Sequence, residues 1–328
     1  MAATHDAARG LPRVAEGAIL VPQEELAGAP NVVVDGPRLP GTVLSLSHWR
    51  DSGTPEALRD DTSALIVLRY LAAGADGPEV HAVTNNHYDE DGLFAIWLLL
   101  ERPPAGSPAR ALAIAAAEAG DFGTWTDPWA PRVAIASMAM AERGATPFPE
   151  VGRILATTRG GDPAGRLYRT ILPRVAGLLA DPARYRMLWG ARWARIEADV
   201  ALLDAGDATI EDVPAADLAV VRTPRRLDPM AVHPRTPRMR ILTALPDGTV
   251  TVTYRYETWV DYASRPLSPR VDLGPVAARL QAQEGNPVRW LFEGVQVITP
   301  RLMAAGPGGR PAPSTIPPER VVEELVAT

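Results

Sequence analysis

The first hundred residues alternate short apolar runs with polar turns. Residues 31–35 and 42–46 are short and rich in Val and Leu, which is typical of buried strands. Residues 55–73 carry an apolar stripe at helical spacing. A further strand over 80–84 and a buried helix from residue 93 follow. This order of strand, strand, helix, strand, helix predicts an α/β fold with a largely parallel N-terminal sheet.

The pattern changes twice after this sheet. Residues 108–119 predict an Ala-rich helix, and the chain from 128 to about 205 reads as helical throughout. Strand patterns then dominate, and Asp247-Gly248 predicts a hairpin turn. The elements expected there are strands over 208–213, 218–222, 238–245, 250–256 and 288–292, and helices over 273–283 and 318–326.

Two domains follow from this change of pattern. Residues 1–206 should form the α/β domain with a helical middle segment, and residues 207–328 a smaller C-terminal α+β domain. We expect the second domain to close over a site in the first.

The candidate chemistry lies in residues 85–93, NNHYDEDGL, between the strand over 80–84 and the buried helix. Open α/β sheets bind their ligands at this end of a strand. In an extended H-x-D-x-D, His87, Asp89 and Asp91 point the same way, because side chains alternate between faces. Gly92 would let the backbone turn sharply into the helix. The pattern therefore predicts a metal site.

This motif has a second interpretation. Asp and Asn at the start of a helix also accept backbone N–H bonds as caps. One histidine and three acids in five residues, however, concentrate like charges that a cation would neutralise. Carboxylates with imidazole suit Mn²⁺, Mg²⁺, Fe²⁺ or Zn²⁺. Both interpretations, and the identity of the metal, stay open from the sequence alone.

Composition excludes several classes of site. The chain has no Cys, and all 33 basic residues are Arg. Disulfides, thiolate metal sites, cysteine nucleophiles, lysine Schiff bases and Walker A loops are therefore ruled out. No G-x-S-x-G motif is present, which argues against a serine hydrolase. A net charge of −6 without a long basic run argues against general nucleic-acid binding.

The sequence shows no sign of a targeting signal. The first six residues lack the charged and apolar regions of a secretory signal. No apolar run approaches the ~20 residues of a spanning helix. We therefore expect a cytoplasmic protein without a membrane segment. The abundance of Arg, Ala and Pro resembles the coding bias of a high-GC bacterium.

Residues 82–93 resemble the first metal-binding motif of the DHH phosphoesterase superfamily, in which a strand runs into H-x-D-x-D-G and a helix of small and apolar residues follows. The resemblance implies a phosphoesterase that uses a pair of Mn²⁺ or Mg²⁺ ions, with Asp89, Asp91 and His87 as metal ligands. No Asp-His-His occurs in the chain, and the Ser47-His48-Trp49 segment precedes the acidic motif rather than following it.

The same resemblance suggests further roles. Asp121, after a small-residue helix, would be another metal ligand. His48 and His87 would act as ligand or general acid/base, since imidazole titrates near neutral pH. Asn86 would contact substrate, and Arg265 and Arg270 of the second domain would bind a substrate phosphate.

The leading functional prediction is a metal-dependent hydrolase acting on a small phosphorylated substrate. The alternatives are a non-catalytic protein that binds a small ligand, and an interaction protein in which the acidic motif only caps a helix. The whole chain also resembles an uncharacterised family of actinobacterial proteins with SHW, NNHxDEDG and AGDFG landmarks, which supplies no activity. The sequence leaves the oligomeric state open.

Overall fold

The computed structural model describes residues 9–158, 163–266 and 269–328 and divides the chain into two compact units. The first unit comprises Met1–Trp193 and Val260–Pro266. The second comprises Ala194–Trp259 and Leu267–Thr328. This division differs from the predicted boundary between residues 206 and 207, since the second unit begins at Ala194, within the helix Arg186–Ala205, and Val260–Pro266 belongs to the first unit. Residues 1–8, on which the prediction about a secretory signal rests, lie outside the described part.

A four-stranded parallel sheet forms the base of the first unit, as the apolar runs predict. Its strands follow the order β1-β4-β2-β3, and every neighbouring pair is parallel. They are β1 (Arg13–Leu20), β2 (Asn31–Val34), β3 (Thr42–Leu46) and β4 (Glu79–Thr84). Val32, Val33 and Val34 are completely buried, which explains the continuous apolar run. The predicted fold class, α/β with a largely parallel N-terminal sheet, is confirmed.

Strand β1 was not predicted from its sequence. Its pairing with β4 shifts register between Val14 and Ile19, and Gly17 within it has φ 78°. Such a bulge breaks the alternation of buried and exposed side chains by which a strand is identified. The sequence pattern of β1 therefore did not indicate a strand.

Helices pack on this sheet and continue into the helical middle segment. They are α1 (Ser63–Ala73), α2 (Glu90–Glu101), α3 (Pro108–Phe122), α4 (Trp129–Ala141), α5 (Pro149–Thr157), α6 (Ala164–Ala180) and α7 (Arg186–Ala205). Helix α2 is central, since all its residues from Asp91 to Leu99 are buried. Along the described ranges, no helix combines the length and apolarity needed to cross a membrane.

Two helix boundaries differ from the sequence prediction in ways that matter for the site. Helix α1 begins at Ser63 rather than near residue 55, because Thr62 caps it by accepting a bond from the Leu65 amide. Helix α3 continues to Phe122 and ends at Gly123, which has φ 65°. Asp121 therefore lies in the last turn of α3 instead of the loop after it.

The second unit is built on a six-stranded mixed sheet of order β5-β6-β7-β8-β10-β9. Strands β6 and β7 are parallel and the other neighbours antiparallel. The strands are β5 (Thr209–Val213), β6 (Leu218–Arg222), β7 (Arg240–Ala244), β8 (Val250–Tyr254), β9 (Arg289–Phe292) and β10 (Arg301–Ala305). The predicted β7–β8 hairpin is present, with Gly248 at φ 87°.

Helices complete this unit. They are α8 (Pro229–Val232), α9 (Gly274–Gln281) and α10 (Pro318–Val326). Apolar residues of α9 and α10, such as Leu280 and Val321, share one core with the inner face of the sheet. The predicted C-terminal α+β composition is confirmed, whereas β10 was missed.

A buried ion pair gives a stability prediction for the second unit. The side chains of Arg255 and Glu257 are paired and almost fully buried. Glu257→Ala should lower the free energy of unfolding by about 3–5 kcal/mol, because it leaves a buried guanidinium without its carboxylate. Urea unfolding followed by tryptophan fluorescence would measure the change.

The matched control is Glu211→Ala, which removes an exposed partner of Arg222 on the same sheet. An exposed pair contributes only about 0–1 kcal/mol. Equal losses in the two variants would contradict the role assigned to the buried pair.

Candidate metal centre

The centre begins at the carboxyl ends of three parallel strands. Asp35 follows β2 directly, His48 follows β3, and His87 and Asp89 follow β4. Parallel strands end at one edge of a sheet, so side chains distant in sequence meet there. Asp35 has φ 52°, a left-handed conformation that Asp tolerates better than most residues. Three loops thus bring two carboxylates and two imidazoles together.

The start of α1 fixes two of the carboxylates. Asp91 lies in the first turn of α2, and its side chain accepts hydrogen bonds from the amides of Ser63 (2.6 Å) and Ala64 (2.9 Å). Ser63 Oγ also donates to Asp35 Oδ1 at 2.8 Å. The amides at a helix N-terminus stabilise a carboxylate through hydrogen bonds and the helix dipole. Helix α1 therefore orients Asp35 and Asp91 toward each other.

The side chains form two groups that share Asp35. In the outer group, His87 Nε2 lies 2.8 Å from Asp89 Oδ2 and 3.5 Å from Asp35 Oδ2. In the inner group, His48 Nε2 lies 3.4 Å from Asp35 Oδ1 and 3.7 Å from Asp91 Oδ2. Within each group the possible ligand atoms lie within 4.8 Å of one another. Asp121 Oδ2 adds a further carboxylate 3.4 Å from His48 Nε2.

An oxygen atom next to Nδ1 orients each histidine. His48 Nδ1 is 2.8 Å from the carbonyl oxygen of Asp61, which can only accept a hydrogen bond. His87 Nδ1 is 3.1 Å from Asn86 Oδ1. When Nδ1 carries the proton, Nε2 of the neutral ring offers its lone pair to the carboxylate side. This arrangement is typical of metal-ligating histidines, which donate their other nitrogen to an oxygen.

Burial and crowding perturb the carboxylates. Burial, with the charge of Asp35, raises the pKa of Asp91 to about 7. Burial, with the charge of Asp91, raises the pKa of Asp121 well above its usual range. Burial alone would also raise the pKa of Asp35, but a hydrogen bond from His48 and the charge of His87 hold it at about 2. The cluster thus keeps Asp35 ionised and disfavours the ionised forms of Asp91 and Asp121.

His48 shows the complementary effect. Burial by itself lowers the pKa of an imidazole. The hydrogen bond to Asp35 and the charge of Asp91 outweigh burial and raise the pKa of His48 to about 9. The carboxylates therefore favour a positive charge at this point of the centre.

Two buried oxygens indicate that the residues fit a cation. Asp35 Oδ2 and Asp121 Oδ2 have no hydrogen-bond donor among the residues that the structure describes. A buried carboxylate oxygen without a donor is costly unless a positive charge faces it. Together with the two oriented imidazoles, these oxygens make the cluster a buried acidic and histidine group that could hold a metal ion.

The side chains of the centre are fully buried on one side and partly exposed on the other. The side chains of His48 and Asp35 are fully buried, and Phe122 packs beside His48 with ring centroids 6.2 Å apart. By contrast, His87 is 27% and Asp89 20% exposed. Trp49 packs against His87 with ring centroids 5.1 Å apart. A small molecule would therefore reach the outer group first.

The predicted geometry of H-x-D-x-D is wrong. His87, Asp89 and Asp91 do not alternate along a strand, because Asp89 is the N-cap of α2 and Asp91 lies in its first turn. Asp91 instead joins the inner group. The capping interpretation also holds, since Asp89 Oδ1 accepts a bond from the Gly92 amide at 2.9 Å while Oδ2 faces His87. One carboxylate thus caps the helix and contributes to the centre.

The role predicted for Gly92 is also wrong. It lies in the first turn of α2 and is not among the residues with positive φ. A Cβ at this position would lie 2.6 Å from Asn85 Nδ2, and closer still to Tyr168 Oη. Asn85 Nδ2 donates to Tyr168 Oη at 3.1 Å. Glycine is needed because these side chains approach the helix backbone, not because the chain turns.

The predicted substrate-binding residues have separate positions. Asn86 faces His87 and orients it. Arg265 belongs to the first unit, not to the second domain as predicted, because Val260–Pro266 packs with the first unit. Arg270 belongs to the second unit, where it donates to the carbonyls of Val297 and Ile298 and lies over Trp259.

Sequence reasoning missed Asp35, the residue that both groups share. The signal was present, because Asp35 ends a run of three buried valines and precedes Gly36-Pro37. An acid directly after a buried parallel strand marks the ligand edge of the sheet. A Cβ on Gly36 would lie 2.5 Å from Asn86 Oδ1, so this loop also touches the His87 loop.

Comparison with known proteins gives a family without an activity. The model of one family, described as a family of unknown function (DUF6687), matches residues 18–328. No curated protein and no solved structure matches the chain. The resemblance to an uncharacterised family is thereby confirmed, while the resemblance of the acidic motif to DHH phosphoesterases stays a prediction.

Metal binding tests the shared role of Asp35. Calorimetric titration of Mn²⁺ into metal-stripped protein should show micromolar binding, which Asp35→Asn should weaken at both groups because it removes their common carboxylate. Asp89→Asn should weaken only the outer group, since Asn still caps a helix.

Asp60→Asn is the control, because Asp60 binds Arg69 and the Asp61 amide outside the centre. Unchanged Mn²⁺ binding in Asp35→Asn would contradict the assignment. A change of only ~1 kcal/mol in stability for Asp89→Asn, without loss of Mn²⁺, would leave Asp89 as a cap alone.

Close packing around Gly92 gives a second prediction. Gly92→Ala should cost about 1–3 kcal/mol of unfolding free energy and weaken Mn²⁺ binding, because the methyl group displaces Asn85, Tyr168 and Asp89. Gly152→Ala in α5 is the matched control, since a Cβ there has no atom within 4 Å. The control should be stabilised by up to about 1 kcal/mol. Similar behaviour of both variants in urea unfolding would refute the close-packing role.

Proposed function

The chain belongs to DUF6687, a family of unknown function, and from the geometry of its centre we propose that it is a metal-dependent hydrolase of phosphoesters. One observation carries the proposal. The buried carboxylate of Asp35 presents one oxygen to His48 and the other to His87. A carboxylate shared between two sets of possible ligands would suit a pair of neighbouring divalent ions.

The donors limit the choice of metal, and the resemblance narrows it further. The two groups supply carboxylate oxygens and imidazole nitrogens, and the chain contains no thiolate. Such donors suit Mn²⁺, Mg²⁺, Fe²⁺ or Zn²⁺, and the resemblance to DHH phosphoesterases favours Mn²⁺ or Mg²⁺. Asp35, His87 and Asp89 would hold one ion, and Asp35, His48 and Asp91 the other, with Asp121 beside the inner position. When bound, such ions supply a nucleophile at neutral pH and stabilise charge on phosphoryl oxygens.

The protein's own residues divide the remaining tasks. Asp61 and Asn86 hold the two imidazoles with Nε2 facing the carboxylates. Phe122 packs beside the fully buried His48. His87 is partly exposed whereas His48 is fully buried, so a substrate would meet the outer group before the inner one.

The resemblance to DHH phosphoesterases is supported by this clustering. The motif residues His87, Asp89 and Asp91 lie in one cluster with His48 and Asp121. These two residues are distant from the motif in the sequence. The missing Asp-His-His motif is the main departure. In this protein His48, at the end of β3, supplies an imidazole to the inner group.

A hydrolysis screen tests the proposal. Metal-stripped protein would be reloaded with Mn²⁺ or Mg²⁺ and assayed with p-nitrophenyl phosphate, bis-p-nitrophenyl phosphate and small natural phosphoesters. We expect metal-dependent turnover that Asp35→Asn and Asp121→Asn each lower by more than about 100-fold, because they remove carboxylates from the centre. Asp60→Asn, outside the centre, should retain activity.

A binding protein is the alternative that the missing motif favours. Such a protein would show a higher melting temperature with Mn²⁺ and phosphate, since a ligand of the folded state stabilises it, but no turnover with any ester. Metal binding without turnover across the screen would therefore replace the hydrolase proposal with a non-catalytic ligand site.

A further inference from the structure

Residues 260–266 return to the first unit beside the metal centre. Val260 pairs with Trp49 as an isolated antiparallel bridge. The amide of Asp261 donates to the carbonyl oxygen of His48 at 2.7 Å. The 260–266 segment is therefore attached to the loop that carries an inner ligand, although it lies more than two hundred residues later in the chain.

Asp61 holds the same segment from the other side. Its Oδ1 accepts hydrogen bonds from the amides of Ala263 and Ser264, both at 2.9 Å, and its Oδ2 accepts one from Ser264 Oγ at 2.5 Å. Its carbonyl oxygen meets His48 Nδ1. One residue thus orients the imidazole with its main chain and fixes the segment with its side chain.

Arg265, near the end of this segment, stacks on an aromatic ring. The Arg265 guanidinium lies 4.0 Å from the centroid of the Tyr262 ring. Within the described ranges it forms no hydrogen bond or ion pair, although Glu118 is near enough to interact electrostatically. Stacking on a ring orders a guanidinium while leaving its N–H donors available.

A path of aromatic contacts leads from this arginine to the centre. The Tyr262 and Phe122 rings have centroids 5.3 Å apart, and Phe122 packs beside His48. Two rings therefore lie between the guanidinium and the inner ligands along this path. A phosphoryl group bound at the centre would leave Arg265 for a different part of the substrate.

We propose that Arg265, ordered by Tyr262 and by the Asp61-anchored 260–266 segment, is a second anion subsite that selects phosphoesters carrying an additional phosphate. The inference rests on the proposed function, because the first phosphoryl group is taken to bind at the metal centre. The guanidinium matches phosphate with two parallel N–H donors. Asp61 is a positioning residue, since it acts through the segment and does not touch the anion.

Binding of two related ligands tests the subsite without requiring turnover. Butyl phosphate and butane-1,4-diol bisphosphate would be titrated calorimetrically into the Mn²⁺-loaded full chain. We expect the bisphosphate to bind at least about 10-fold more tightly, the gain of a charged hydrogen-bonded pair. Arg265→Ala should abolish this preference and leave the affinities for butyl phosphate and Mn²⁺ unchanged. Arg153→Ala, an exposed arginine of α5, should keep the preference.

The role of Asp61 is tested by the same ratio of affinities. Asp61→Ala should lose the preference as fully as Arg265→Ala, and the double variant should lose no more, because both changes remove one interaction. Asp61→Asn should restore part of it, since an amide oxygen still accepts from the segment. A purely structural role would lower stability without changing the ratio, and that result would overturn the positioning role.

The outcomes separate the subsite from the proposed function. Equal affinities of the two ligands for the wild-type protein, or a preference that survives in Arg265→Ala, would overturn the subsite. Selective binding of the bisphosphate without hydrolysis of any ester would support the subsite and contradict the hydrolase proposal. Faster hydrolysis of bisphosphorylated esters, lost in Arg265→Ala through a higher KM, would support both.

Discussion

The arrangement of the first unit depends on the buried carboxylate of Asp35. Asp35 itself follows β2 in a left-handed conformation. Its Oδ1 accepts a hydrogen bond from Ser63 Oγ and lies 3.4 Å from His48 Nε2, while its Oδ2 lies 3.5 Å from His87 Nε2. Each contact comes from a different strand end or helix start. An ionised carboxylate in a dry interior is stable only with such partners, so the three loops and α1 must meet where they do.

The same requirement explains the surrounding residues. Asp91 is stabilised by the first amides of α1, and Asp89 caps α2 while facing His87. Even so, two buried carboxylate oxygens lack donors, and burial raises the pKa of Asp91 and Asp121. A helix terminus offsets part of the cost of burying a charge. The cluster therefore favours further positive charge at its centre, as metal ligands do.

The centre also connects two segments that are far apart in the sequence. Asp61 orients His48 with its carbonyl and holds residues 263 and 264 with its carboxylate. Helix α1 starts just after it, so the ligand at β3, the helix that binds Asp91 and the segment that carries Arg265 share one anchoring point.

The sequence alone determined the local features: the strands rich in valine, the buried helix α2, the hairpin at Gly248 and the dense acidic motif, because each depends on neighbouring residues. It also singled out His48 and Asp121, but not that they meet. Only the tertiary structure decided that Asp91 turns inward, that Asp35 is shared and that Arg265 belongs to the first unit. These contacts join residues far apart in the chain, and no local pattern records which loops a parallel sheet brings to one edge.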